Sequence, residues 1–137
     1  MIKELVHDPV FLARVSESAG IDDIQTARDL LDTITAYSDS CVGMAANMIG
    51  VLKRIIVFDN GGGFEVMFNP EIIKCSEPFD TAEGCLSLLG DPRSVKRFRS
   101  IKVKFQNMEL KPRIKTYSGF AAQIIQHEID HCNGILI

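Results

Sequence analysis

The sequence predicts an α+β fold in which antiparallel strands pack around a central, buried C-terminal helix. Three observations carry that expectation. Short β-branched or alternating segments fill the middle of the chain. One amphipathic helical pattern precedes them, and a helical pattern that is apolar on nearly every side closes the chain. The length of 137 residues suits a single domain spanning residues 1–137.

The elements follow in order. Asp8-Pro9 ahead of Val10, Phe11, Leu12 and Val15 predicts a short helix with proline at its first position, and Gly20 breaks it. Asp22-Asp23-Ile24-Gln25 reads as a capping box, with Asp22 accepting an N–H and Gln25 reaching back. Ile24, Ala27, Leu30, Leu31 and Ile34 keep helical spacing, so an amphipathic helix runs from about 23 to 37. Arg54-Ile55-Ile56-Val57-Phe58 and Phe64-Glu65-Val66-Met67-Phe68 flank Asp59-Asn60-Gly61-Gly62-Gly63 as a hairpin. Asn69-Pro70 should stop the second strand, and Glu71-Ile72-Ile73-Lys74-Cys75 begins another extended piece. Ser100–Phe105 alternates with a lysine face toward water, and a further strand is expected around 113–116. Ser118 can cap the last helix, through Phe120, Ala121, Ala122, Ile124, Ile125 and Ile129, and Asn133-Gly134 supplies a left-handed stop.

Composition excludes several classes. With 46% hydrophobic and 24% charged residues the chain is neither disordered, collagenous nor a coiled coil. A net charge of −3 argues against nucleic acid or an anionic membrane surface as a partner. No stretch reads as a signal peptide or a membrane span, and the four cysteines form no Cys-x-x-Cys pair, so a cytoplasmic protein with reduced thiols is expected.

The last helix carries His127-Glu128-Ile129-Asp130-His131. Two histidines four residues apart share a helix face and can reach one metal ion, while Glu128 at the same edge can take a proton from water. Imidazoles without a ligand would be costly on so apolar a helix. A catalytic metal site of this kind uses three protein ligands and keeps one position open. Cys85, in the turn Glu83-Gly84-Cys85-Leu86-Ser87, is the best third ligand; the local sequence leaves ligation and plain packing both open for it. Cys41, Cys75 and Cys132 read as small packing residues.

Three stretches, in order, resemble the peptide deformylase family. Gly43-Met44-Ala45-Ala46 is similar to its first motif, Glu83-Gly84-Cys85-Leu86-Ser87 is identical to its second, and Gln126-His127-Glu128-Ile129-Asp130-His131 matches its third. Weaker matches at Leu31-Asp32-Thr33, Asn69-Pro70-Glu71-Ile72, Val95-Lys96-Arg97 and Asn133-Gly134-Ile135-Leu136 extend the likeness over nearly the whole chain.

The resemblance implies a fold of that type and removal of the formyl group from N-formylmethionyl peptides, releasing formate. It implies Cys85, His127 and His131 as ligands of one divalent transition metal, natively Fe²⁺, with Zn²⁺ or Ni²⁺ able to replace it. Glu128 would move the proton from water to the departing amine, and the Leu86 backbone N–H would donate to the oxyanion. Val42 and Gly43 would pair with substrate backbone like an added strand. Phe120 and Ile124 share the His127 face of the helix, and either line the methionine pocket or pack in the core. Arg97 could pair with Asp130 to support the metal helix; the alternative is a solvated arginine.

The sequence departs from the family where the first motif normally ends in glutamine. Met48 stands there, and a thioether donates no hydrogen bond. Losing one oxyanion donor typically costs about 2.7–4 kcal/mol, or roughly 10²- to 10³-fold in turnover. Asn47 would point to the opposite face if the stretch is extended. Leu89 replaces a usual proline in Ser87-Leu88-Leu89-Gly90, and the chain stops at Ile137, where many members carry a further segment, so docking on the ribosome through it is not expected. Two other readings compete with a weakened deformylase. One is a paralogue acting on another N-acyl substrate, and the other is a degenerate protein that binds metal or peptide without turnover.

Overall fold

Asp8 opens the chain's first helix, α1 (Pro9–Leu12), by accepting the Val10 N–H at 3.0 Å, and proline occupies the first turn, where it sacrifices no helical hydrogen bond. The second helix, α2 (Ile24–Ala36), is entered through a 3₁₀ turn at Ile21–Asp23. That turn moves the N-cap from Asp22 back to Gly20. Asp23 takes the reaching-back role expected of Gln25, accepting the Gly20 N–H at 2.8 Å, and Gln25 donates along the helix to Asp29. The predicted amphipathic face is the buried one, with Ala27, Leu30, Thr33 and Ile34 inside.

The computed structural model describes every residue except Leu86 and Leu89. Its strands form one antiparallel sheet in chain order: β1 (Gly43–Ala45), β2 (Ile55–Asp59), β3 (Phe64–Glu83), β4 (Arg93–Gln106) and β5 (Pro112–Ser118). The predicted hairpin pairs Asp59 with Phe64. Asn69-Pro70 does not end the second strand. Proline cannot donate to the ladder, so the register with β4 shifts between Phe68 and Glu71. Asn69 takes a left-handed φ of 53° and its side-chain amide bonds Ala19 and Gln106 in place of ladder contacts. The strand then continues to Glu83, which delivers Cys85 to the site. In β4 the alternation holds, with Ile101, Val103 and Phe105 buried and Lys102 and Lys104 exposed.

The sheet separates two apolar layers. On one side α2 packs Leu30 and Ile34 against Met44, Ile55, Val57 and Phe68. On the other, α3 (Gly119–Cys132) packs Ala122, Ile125 and Ile129 against Ile56, Phe58, Met67, Val103 and Phe105. Full burial of each large side chain in these layers stabilises the fold by about 1.5–3 kcal/mol. The helix α3 is thus central, as its composition predicts, although its first turn projects outward with Phe120 62% exposed. Gly134, at φ 74°, follows its end as the left-handed stop. No helix among the described residues is long and apolar enough to cross a membrane.

Candidate metal centre

On α3, His127, Glu128 and His131 are all buried, at 8%, 3% and 4% exposure. The i, i+4 spacing sets the two imidazoles edge to face, with ring centroids 4.5 Å apart. Cys85 arrives from the end of β3, and its sulfur and one nitrogen from each histidine lie within 4.8 Å of one another. The chain thereby brings together the three residues its sequence singles out.

Each imidazole has one nitrogen occupied. His127 Nδ1–H donates to Glu83 Oε1 at 2.8 Å, and His131 Nε2–H donates to the Ile137 carbonyl at 2.9 Å. His127 Nε2 is left for another ligand. His131 Nδ1 lies 3.1 Å from Glu128 Oε1 without hydrogen-bond geometry, and both atoms are buried and unpartnered among the described residues. Orphaned buried polar atoms of this kind are expensive unless something binds them. A thiol and two imidazoles facing one point, with a carboxylate beside them, fit a divalent transition metal and a water molecule.

The electrostatics agree with that fit. Burial raises the Cys85 thiol's pKa, but hydrogen bonds with His127 and His131 outweigh it and bring the value down to about 6. Burial lowers the His127 value, while Cys85 and Glu83 raise it to about 9; His131 is also raised, against its burial, chiefly by Glu128 and Cys85. The pocket holds protons tightly because it concentrates negative charge, and a metal ion competes for the same atoms.

Glu83 orients His127, a role that sequence reasoning missed. Its carboxylate accepts from His127, from Gln123 at 2.8 Å and from Arg97 through both nitrogens of a fork, the shortest at 2.7 Å. Arg97 is 4% exposed and continues to Asp130 at 2.6 Å, so the expected pair forms and the solvated alternative fails. The available signal was spacing: Glu83 precedes Cys85 by two positions, the interval that puts side chains on one face of extended backbone.

A cleft of about 460 Å³ opens beside these residues. Its walls are the start of β1, the end of β3 and the first turns of α3, and Val42, Gly43, Met48, Phe120 and Ile124 all line it. A Cβ on Gly43 would overlap Ile124 and stand 2.8 Å from Glu128 Oε2, so only glycine lets this strand lie so close to α3. Phe120 stands at the mouth and is not core; Ile124 is buried in the wall. Met48 is 1% exposed, and its sulfur accepts from the Ala45 N–H at 3.5 Å. The stretch Ala46–Ile49 is a 3₁₀ turn rather than extended, and Asn47 leaves the cleft to donate to the His131 carbonyl at 3.1 Å. Leu86, with its expected oxyanion N–H, and Leu89 lie outside the described residues. Cys132 packs in the core as expected, whereas Cys75 is exposed on β3 and Cys41 lines the cleft.

Comparison with known proteins places this geometry. The family model for polypeptide deformylase matches residues 4–137. A peptide deformylase of Clostridium beijerinckii is 47% identical over 137 residues, covering 100% of both chains. The crystal structure of the Thermotoga maritima peptide deformylase superposes with a TM-score of 0.87 at 33% identity, over 99% of this chain and 95% of that one. A class I type b peptide deformylase from Acinetobacter baumannii, bound to Met-Ala-Ser, gives a TM-score of 0.87 at 28% identity, over 99% and 97%.

Proposed function

The chain belongs to the polypeptide deformylase family, and we propose that it is a metal-dependent amide hydrolase removing the formyl group from N-formylmethionyl peptides. The observation that carries the reading is the buried pair of unpartnered atoms, His131 Nδ1 and Glu128 Oε1, beside Cys85 and His127 at the edge of an open cleft. Cys85, His127 and His131 would hold one metal ion. A thiolate with two imidazoles suits Fe²⁺, with Zn²⁺ or Ni²⁺ able to replace it. When bound, the metal supplies Lewis acidity, acidifying water and polarising the formyl carbonyl.

The remaining chemistry belongs to side chains. Glu128 takes a proton from the attacking water as its oxygen bonds to the formyl carbon and the carbonyl electron pair moves to oxygen. As that pair returns, the carbon–nitrogen bond breaks, Glu128 gives the proton to the amine, and formate leaves. Burial of Glu128 at 3% exposure excludes bulk water from the transfer. The outer edge of the chain at Val42 and Gly43 would hold the peptide as an added strand, with Phe120 and Ile124 against the methionine side chain. Binding of Met-Ala-Ser by the Acinetobacter relative, a peptide that begins with unformylated methionine, supports this substrate class. The reading puts the enzyme in the cytoplasm, where such peptides are made.

The test is formate release from a formyl-Met tripeptide by protein loaded with Fe²⁺ without air, or with Ni²⁺. Release that disappears in Glu128→Ala while metal content holds supports the reading. No release, with one metal per chain confirmed in the same sample, overturns it in favour of an altered substrate or a binding protein without turnover.

A further inference from the structure

Hydrolysis of a formyl amide puts negative charge on the carbonyl oxygen, and donors aimed at that oxygen are usually the largest single contribution to the rate. Among the described residues, the cleft's side chains offer few. Cys85 and His127 belong to the proposed metal centre, and Glu83 and Glu128 are carboxylates. Met48 presents a thioether, which donates nothing. Gln123 lines the cleft too, but its amide nitrogen is held on Glu83 Oε2 at 2.8 Å. Ser40 is exposed at the rim, with its hydroxyl turned to the Tyr37 carbonyl. The Cys41 thiol remains.

We propose that Cys41 is a catalytic hydrogen-bond donor to the oxyanion of formyl-amide hydrolysis, supplying through S–H what Met48 cannot. The inference rests on the function proposed above. Cys41 is half-buried and lines the cleft together with Gly43 and Glu128. Its S–H donates to the Gly43 carbonyl at 2.9 Å, and that carbonyl belongs to the residue pressed against Glu128. Rotation about the Cβ–Sγ bond can turn the hydrogen to a new acceptor without moving the sulfur. Glu128 Oε1, buried and unpartnered at the same cleft, calls for a donor such as the attacking water, so the reacting amide belongs in this cleft with Cys41 in its wall. Burial, with the nearby charges of Glu128 and Cys85, pushes the Cys41 thiol up to about 12. It therefore keeps its proton across the working range and serves as a donor, not a nucleophile.

A thiol is a weak donor, so an amide at position 48 should improve on it. The experiment measures kcat and KM for formate release from a formyl-Met tripeptide in metal-loaded native protein, Cys41→Ala, Cys41→Ser, Met48→Gln and the Cys41→Ala/Met48→Gln double variant. Metal content and Tm are recorded for each. Cys41→Ala is expected to lower kcat by about tenfold or more with KM and metal content little changed. Cys41→Ser, which keeps a donor, retains activity within about threefold of native. Met48→Gln raises kcat, and in its presence the Cys41→Ala loss shrinks to under about a third of its size in the native background, because the two donors share one oxygen. Equal losses in both backgrounds, or a Cys41→Ser loss as large as that of Cys41→Ala, overturn the proposal and make Cys41 a packing residue. Native activity that Cys41→Ala leaves untouched also overturns this proposal alone. Absence of formate release from metal-loaded native protein overturns the function reading instead, and this one with it.

Discussion

Glu83 Oε1 lies 2.8 Å from His127 Nδ1, joining the end of β3 to the middle of α3. The same carboxylate gathers Arg97 and Gln123, and Arg97 passes the connection on to Asp130, one residue before His131. A chain of largely buried charge-assisted bonds therefore holds the helix that carries both histidines against the strand that leads to the cysteine. Once the His127 ring is neutral, it also sets the tautomer, keeping the proton on Nδ1 and the lone pair on Nε2.

Replacing that carboxylate should loosen metal without removing a ligand. Glu83→Gln keeps the shape but loses the charge, and metal affinity measured by chelator competition should fall about 10- to 100-fold. The variant should also respond differently to acid. Burial alone would raise the Glu83 pKa, but hydrogen bonds from His127, Arg97 and Gln123 outweigh it and hold the value at about 2, against an ordinary 4.5. A depressed folded value means that Glu83 contributes stability above about pH 4.5 and loses it as pH falls toward about 2. Glu83→Gln should flatten that part of the Tm-versus-pH curve. Unchanged metal affinity would show that the carboxylate does not orient His127.

Cys85 should carry its own signature in metal-free protein. With its pKa near 6, the thiolate predominates at neutral pH, so alkylation of Cys85 followed by peptide mass mapping should be half-maximal near pH 6. Cys41 and Cys132, both held near 12 by burial and neighbouring charge, should resist the reagent up to pH 9. Bound metal should protect Cys85 across the range. Alkylation of Cys85 with a midpoint near its ordinary value of 9.0 would mean that the histidines do not hold the thiolate.

Gly43→Ala tests how tightly β1 must approach the catalytic helix. The added methyl meets Ile124 and comes within 2.8 Å of Glu128 Oε2, so either the strand or the carboxylate must shift. Forcing an atom into a packed contact costs about 1–3 kcal/mol, and a displaced Glu128 should lower kcat by roughly 10²-fold. Native kcat in Gly43→Ala would show that Glu128 tolerates the displacement.

Local sequence was sufficient for much of this molecule. Helix periodicity marked α2 and α3 because one buried face repeats every 3.6 residues, and strict alternation marked β4 because its two faces meet oil and water. His127, Glu128 and His131 were legible because their spacing alone puts them on one helical face. Asn69-Pro70 misled because chain-local rules say that proline ends a strand. The bulge that absorbs it depends on Ala19 and Gln106, far away in sequence.

By itself the sequence determined the fold class, the two histidines with their glutamate, and the candidacy of Cys85, since each of these follows from periodicity or from a contiguous motif. Only the tertiary structure decided that Glu83 orients His127, that Arg97 is buried between two carboxylates, and that Cys41 faces the cleft while Cys75 faces solvent. Such facts depend on which strand lies beside which helix and on how far each side chain is removed from water. Register, sheet twist and burial set both, and no stretch of neighbouring residues contains them.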